Sequence, residues 1–172
     1  GVLGSHGGSN LQSIINACKS MYLNARICVV ISNNSGSGVL KRARREDITA
    51  YHFSRTTHPC ADDLDTNIMR ALRRHNVDLV LLAGYMKKLG SKVLSRYHGR
   101  VLNIHPALLP DFGGKGMYGK SVHEAVLEAG VKTTGVTIHL VDDQYDHGPI
   151  VAQWGVPVLD EDTVDSLADR VL

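Results

Sequence analysis

Short β-branched runs alternate along this chain with segments whose apolar residues recur at helical spacing, and that alternation constrains the fold more than any other feature. Val2 and Leu3 finish a strand, and Leu11, Ile14, Ile15 and Cys18 then mark one face of a helix. The unbroken run at 26–31 predicts a strand covered on both faces, 39–45 a short basic helix and 49–53 a further strand. Residues 62–75 carry Leu64, Ile68, Met69 and Leu72 on one helical face, ahead of a buried strand at 77–83. A short helix near 91–97, a strand at 100–104, a Pro- and Gly-rich loop at 105–119 and a helix at 121–129 follow. Two longer strands, 133–141 and 150–156, are expected on either side of a polar turn, with a last helix over 163–172. Such alternation favours right-handed βαβ units. The expected fold is a three-layer α/β domain, Rossmann-like, with a mainly parallel sheet and helices on both faces.

With no repeat, low-complexity tract or linker, residues 1–172 read as a single domain, and both ends read as cut. A chain of 172 residues, 43% of them hydrophobic, can bury about 70% of its unfolded surface around one core. Nineteen Lys and Arg against seventeen Asp and Glu give +2, too even a balance for a nucleic-acid or anionic-membrane partner. No apolar run reaches the roughly 18 residues that span a bilayer. Cys18, Cys28 and Cys60 are odd in number and lack CxxC spacing, which argues against a disulfide framework or structural zinc and for a cytoplasmic protein.

In open α/β sheets ligands bind beyond the carboxyl ends of the strands. That rule selects the loops at 4–10, 84–89, 103–119 and 142–148. In the first, Gly4-x-x-Gly7-Gly8-Ser9-Asn10 joins a strand to a helix, where small residues admit a ligand and first-turn N–H groups favour an anion. Gly8, Ser9 and Asn10 are the candidate phosphate site, with Ser9 or Asn10 as a mere helix N-cap the competing reading. A second glycine loop, residues 114–121, satisfies GxxxxGK[ST] to the letter. The stretch Leu109-Pro110-Asp111-Phe112-Gly113 before it cannot be the central strand a phosphate loop needs, so a P-loop nucleotidase is a remote alternative.

Asn103-Ile104-His105-Pro106 ends a strand, and pleat alternation puts Asn103 and His105 on one side. Asn can donate to a developing oxyanion and His can move a proton at neutral pH. The acidic turn that holds Asp146 supplies a carboxylate expected to raise the pKa of His105. His139, in mid-strand, reads as a core or site-lining histidine. No HExxH or similar spacing indicates a metal.

Gly-Ser-Asn-Leu-Gln (8–12), Leu-Ala-Gly-Tyr-Met (82–86), Leu-Asn-Ile-His-Pro-Ala-Leu-Leu-Pro (102–110) and Val-Asp-Asp-Gln-Tyr-Asp-His-Gly-Pro-Ile (141–150) resemble, in order and over the whole chain, the 10-formyltetrahydrofolate-dependent formyltransferases. The early Gly-Ser-Asn-Leu-Gln resembles the branch that formylates glycinamide ribonucleotide in purine synthesis. The resemblance implies that Gly8, Ser9 and Asn10 hold the ribonucleotide phosphate. It implies a folate pocket lined by Met86, Lys87, Lys88 and Leu89, with Asn103, and closed by Val141 and Asp142. Asn103, His105 and Asp146 would be the catalytic group, 10-formyltetrahydrofolate the cosubstrate, and no metal would be used. A monomer or homodimer is implied, and formyltetrahydrofolate hydrolase or another formyltransferase of the superfamily is the alternative. Ala61 stands where the family often has an Arg for the folate glutamate, and the family's C-terminal tail is missing from the sequence.

Overall fold

In the computed structural model, which describes residues 1–171, the chain divides after Val101 into two units. The first holds β1 (Val2–Leu3), α1 (Ser9–Lys19), β2 (Val30–Ser32), α2 (Gly38–Arg45), β3 (Ala50–His52), α3 (Ala61–Arg74), β4 (Val80–Leu82) and α4 (Ser91–Arg96). Its strands are parallel in the order β3-β2-β1-β4. Val2, Val30 and Ala83 pack with Leu11 and Ile15 of α1 and Val39 and Ala43 of α2. The pleat turns Gly1 and Leu3 the other way, and a Cβ on Gly1 would meet Leu72 of α3 at 2.7 Å. Helices therefore cover both faces, which gives the three-layer, Rossmann-like arrangement.

The strands are shorter than the apolar runs that announce them. Of residues 26–31 only Val30 and Ile31 join the ladder; Arg26 is exposed and Ile27 and Cys28 are half-buried. In 77–83 pairing is confined to β4, and Leu79 stays 42% exposed. An apolar run reports burial, whereas strand length depends on which backbone groups find a neighbour.

Local chemistry sets the helix starts. Ser37 caps α2 by accepting from the Leu40 N–H at 3.3 Å, and Asp62 and Asp63 sit in the first turn of α3, where the helix dipole favours acid. The cap of α4 comes from another helix. Buried Asp65 of α3 accepts from Lys92 N at 2.7 Å and Val93 N at 3.4 Å. Gly90 is needed beside it, since a Cβ there would lie 2.2 Å from the Asp65 carboxyl carbon.

The second unit, from Leu102, holds all but the first residue of β5 (Val101–His105), with α5 (Lys120–Glu128), β6 (Thr133–Leu140), β7 (Ile150–Pro157) and α6 (Val164–Val171). Of the expected last helix, Leu172 lies outside the described residues. From Leu102 onward β5 pairs antiparallel with β6, and β6 with β7, so that Asn103 faces His139 and His105 faces Thr137. Val126 of α5 packs with Leu167 and Val171 of α6, joined by Phe112, Val136 and Val156. The buried Thr137 hydroxyl donates to the Ala107 carbonyl at 2.6 Å and accepts from Leu109 N at 3.0 Å and Gln153 Nε2 at 2.9 Å. That side chain moors the loop following β5.

Asp65→Ala is expected to lower stability by about 1–3 kcal/mol, because it leaves two helix-start N–H groups unpaired. Urea denaturation of the variant against the parent chain measures it, and an unchanged midpoint would refute the capping role.

Candidate active site

Asp146 gathers the polar groups of the second unit. It sits at φ 53°, a left-handed backbone conformation that Asp tolerates better than most residues, and its side chain is 10% exposed. Oδ2 accepts from the Gly114 N–H at 3.0 Å and lies 3.6 Å from His105 Nδ1. Oδ1 lies 3.4 Å from Asn103 Nδ2 and 3.5 Å from His139 Nε2. The structure thus brings Asn103, His105 and Asp146 together, places His139 as site-lining, the second of the two readings the sequence left for it, and adds the Gly114 backbone, which sequence reasoning did not assign.

His105 is 3% exposed and its Nε2 lies 2.9 Å from the Phe112 carbonyl oxygen. That oxygen can only accept, so Nε2 carries the hydrogen and, in the neutral ring, Nδ1 carries a lone pair. Asp146 acts on the His105 pKa in the expected direction but does not set the net shift. Burial pushes it down, and although the Asp146 carboxylate and the Phe112 carbonyl pull it up, the net value lies below the ordinary 6.5. Nearby His139 adds to the lowering. For Asp146 burial pushes the carboxyl pKa up. The hydrogen bond with His139, the charge of His105 and the Gly114 N–H outweigh this and hold it below the ordinary carboxylate value.

His123 of α5 is a further residue that sequence reasoning passed over. It is 2% exposed, its Nδ1 has no hydrogen-bond partner among the described residues, and burial, then His105, lower its pKa.

In the first unit the glycine loop takes a different form from the capping alternative. Gly8, at φ 77°, is itself the N-cap of α1, and no side chain caps the helix. Ser9 and Asn10 lie inside the first turn, whose N–H groups precede the first intrahelical bond, Gln12 N to Gly8 O at 3.0 Å. Arg42 of α2 reinforces the loop by donating to the Gly7 carbonyl at 2.9 Å and to Gln12 Oε1 at 3.0 Å. The loop is also tied to the segment after β4. Ser5 N donates to the Gly84 carbonyl at 2.9 Å, and the Ser5 hydroxyl accepts from Met86 N at 2.8 Å and donates to Asn33 Oδ1 at 2.5 Å. Met86 is half-buried, Leu89 buried, and Lys87 and Lys88 are exposed.

Val141 and Asp142 of the second unit are half-buried. Asp142 closes its own turn, accepting from Gln144 N at 2.8 Å and pairing with His147 Nδ1 at 2.9 Å. The stretch 106–119 contains no strand leading into α5, so the formal phosphate-loop match lacks its structural context. Among the described residues no group of three or more His, Cys, Asp or Glu could hold a metal ion, and no helix is long and apolar enough to cross a membrane.

The chain matches the formyl transferase family over residues 1–172 and belongs to it. Within that family it is 42% identical over 169 residues to the chloroplastic phosphoribosylglycinamide formyltransferase of Arabidopsis thaliana, covering 98% of this chain and 58% of that one. The chain thus spans little more than half of this plant relative. It is 40% identical to phosphoribosylglycinamide formyltransferase of Haemophilus influenzae, over 98% of this chain and 77% of that one. The crystal structure of glycinamide ribonucleotide transformylase 1 from Symbiobacterium toebii superposes with a TM-score of 0.92 at 40% identity, covering 99% and 78% of the two chains.

The two shifted groups make separate predictions in acid. A histidine whose folded pKa is lowered stabilises the fold fully above its ordinary pKa and loses that contribution as pH falls from 6.5 toward the folded value. Asp146, with a lowered carboxyl pKa, contributes above the ordinary carboxylate value and loses it only as pH falls through the folded value. In an NMR titration His105 is expected to titrate below 6.5, and lower still in Asp146→Asn, which removes the charge that pulls it up. An upward shift in that variant would refute the electrostatic coupling.

Proposed function

We propose that this chain transfers the formyl group of 10-formyltetrahydrofolate to the amine of glycinamide ribonucleotide. The single observation that carries the reading is the convergence of Asn103 and His105 on the Asp146 carboxylate. Family membership and the relatives' activity support it. Gly8, Ser9 and Asn10 hold the ribonucleotide phosphate at the uncapped start of α1. Met86, Lys87, Lys88 and Leu89, with Asn103, Val141 and Asp142, bind the folate; Leu89 and Met86 offer it apolar surface, while the Met86 N–H is already spent on Ser5. No metal is needed. The substrate set excludes nucleic acid and membrane, and the chain works as a monomer or homodimer. Three cysteines free of disulfides suit a reducing compartment, the cytoplasm in this reading.

The reaction forms one C–N bond and breaks another; the amine gives up a proton and the folate N10 receives one. Those proton movements assign the roles. His105, with its hydrogen on Nε2 and a lone pair on Nδ1, is ready to accept the amine's proton directly or through a water. The ring then becomes cationic beside a carboxylate 3.6 Å away, which offsets much of the cost of charging a buried imidazole. Asp146 stays ionised throughout, because the groups around it hold its pKa down. The Phe112 carbonyl keeps the ring from swinging, so that positioning as well as proton transfer contributes.

Following folate deformylation by absorbance, with and without glycinamide ribonucleotide, tests the reading. Product that requires the ribonucleotide supports transfer; folate loss without it identifies a hydrolase instead. His105→Ala and Asp146→Asn are each expected to cut kcat by about 10²- to 10⁴-fold while leaving KM for the ribonucleotide within a few-fold. Ser9→Asp, at an exposed position, is expected to raise that KM at least about tenfold by placing like charge against the phosphate. Near-parental turnover in the first two variants would overturn the catalytic assignment, and an unchanged KM in the third the phosphate site.

A further inference from the structure

The glycine loop of the phosphate site lies against the start of α2. The Val39 N–H donates to the His6 carbonyl at 3.0 Å. Half-buried Arg42 donates from Nε to the Gly7 carbonyl at 2.9 Å and from Nη1 to Gln12 Oε1 at 3.0 Å. Both acceptors are neutral, and no carboxylate pairs with Arg42 among the described residues, so its charge stands uncancelled behind the loop. The approach is close enough to need a glycine on α2 as well, since a Cβ on Gly38 would sit 2.5 Å from the Gly7 oxygen.

A trans peptide is planar, with its C=O and N–H on opposite sides. With the Gly7 oxygen turned to Arg42, the Gly8 N–H therefore faces away from α2. It is one of four N–H groups that precede the first intrahelical bond, Gln12 N to Gly8 O, the others being those of Ser9, Asn10 and Leu11. Helical backbone fixes the last three. The Gly7–Gly8 peptide has no such restraint. Turning it over changes only the ψ of Gly7 and the φ of Gly8, torsions that glycine leaves open in both senses, and a Cβ on Gly7 would meet nothing within 4 Å. Turned over, the peptide would set a carbonyl oxygen where an anion needs a donor. The bond from Arg42 selects between the two states.

We propose that Arg42 is a positioning residue for the phosphate site, locking the Gly7–Gly8 peptide with its N–H toward the ligand and backing the loop with a positive charge. The inference rests on the formyl-transfer reading and deepens it, by naming a residue that favours the phosphorylated amine over an unphosphorylated one. Nε and Nη1 are spent on Gly7 and Gln12, so Arg42 acts through the loop. The tandem glycines then have a cost that Arg42 offsets. Gly8 is needed for its φ of 77°, yet the freedom that admits this conformation also admits the flipped one. Fixing the peptide before the phosphate arrives removes that ordering from the binding step.

The first test needs no activity. In ¹⁵N-labelled protein titrated to saturation with inorganic phosphate, the amide protons of Gly8, Ser9 and Asn10 are expected to move downfield together. In Arg42→Met those of Ser9 and Asn10 still move and that of Gly8 does not. Movement of Ser9 and Asn10 without Gly8 in the parent, or an unaltered Gly8 response in Arg42→Met, would overturn the proposal alone. Silence of all three in the parent overturns the phosphate site and the proposal with it. The second test compares glycinamide ribonucleotide with its unphosphorylated riboside as acceptor. Arg42→Met is expected to raise KM for the ribonucleotide about 10- to 100-fold, with kcat and the folate KM little changed and kcat/KM for the riboside unaltered. Arg42→Lys keeps the charge and one donor, and its ribonucleotide KM is expected to stay within about fivefold of the parent. Equal losses on both acceptors, the mark of a merely structural role, or a Lys variant as impaired as the Met variant, would overturn the assignment. If the parent binds phosphate here but transfers no formyl group, the function reading fails and the amide shifts still decide the part of Arg42. If Arg42→Met does not fold, Gly38→Ala, whose Cβ displaces the same Gly7 carbonyl, carries both tests with the same expected outcomes.

Discussion

The Asp146 carboxylate is the constraint on which the catalytic cluster depends. Its two oxygens meet the Gly114 N–H, the Asn103 amide, His139 and His105, four groups from three separate stretches of chain. A buried carboxylate with too few partners would take up a proton, and one with these partners keeps its charge. The same partners are organised by it in turn. Without the charge, the Gly114 loop loses an anchor and the Asn103 amide loses an acceptor. His105 would lose the group that makes its protonated form affordable in a buried site.

Rigidity around this cluster comes from backbone carbonyls used as fixed acceptors. Phe112 and Leu140 each hold one ring nitrogen of a histidine, and the Thr137 hydroxyl and Gln153 amide moor the loop that carries Phe112. One nitrogen of each ring is thereby held by the main chain, and the other faces the Asp146 carboxylate. The first unit uses a parallel device. Ser5 and Arg42 spend their hydrogen bonds on loop backbone and loop-adjacent amides, while the first-turn N–H groups of α1 have no side-chain cap.

Much of this was legible in the sequence, for identifiable reasons. Strand–helix alternation predicts the parallel sheet of the first unit, and pleat alternation places Asn103 and His105 on one side because a period of two survives any tertiary context. Strand limits were not legible at 26–31 or 77–83, since apolar runs extend beyond the residues that pair. Gly8 as N-cap was hidden behind the stronger capping preference of Ser9 and Asn10. The net pKa of His105 was out of reach because it balances burial against a carboxylate, and burial cannot be read from residue type. His139 read as either core or site-lining, and only the cross-strand register decides between them by setting it opposite Asn103.

The left-handed backbone at Asp146 bears on what mutation can explore there. Gly and Asn fit φ 53° but abolish the charge, whereas Glu keeps a charge at the expense of backbone strain and a longer reach. Every single replacement therefore fails one of two independent filters, conformational or electrostatic. A lineage drifting in function from this scaffold would find that position closed to gradual adjustment. Its accessible routes run through the neighbours that tune the carboxylate, such as Gly114 and His139, and leave the carboxylate itself in place.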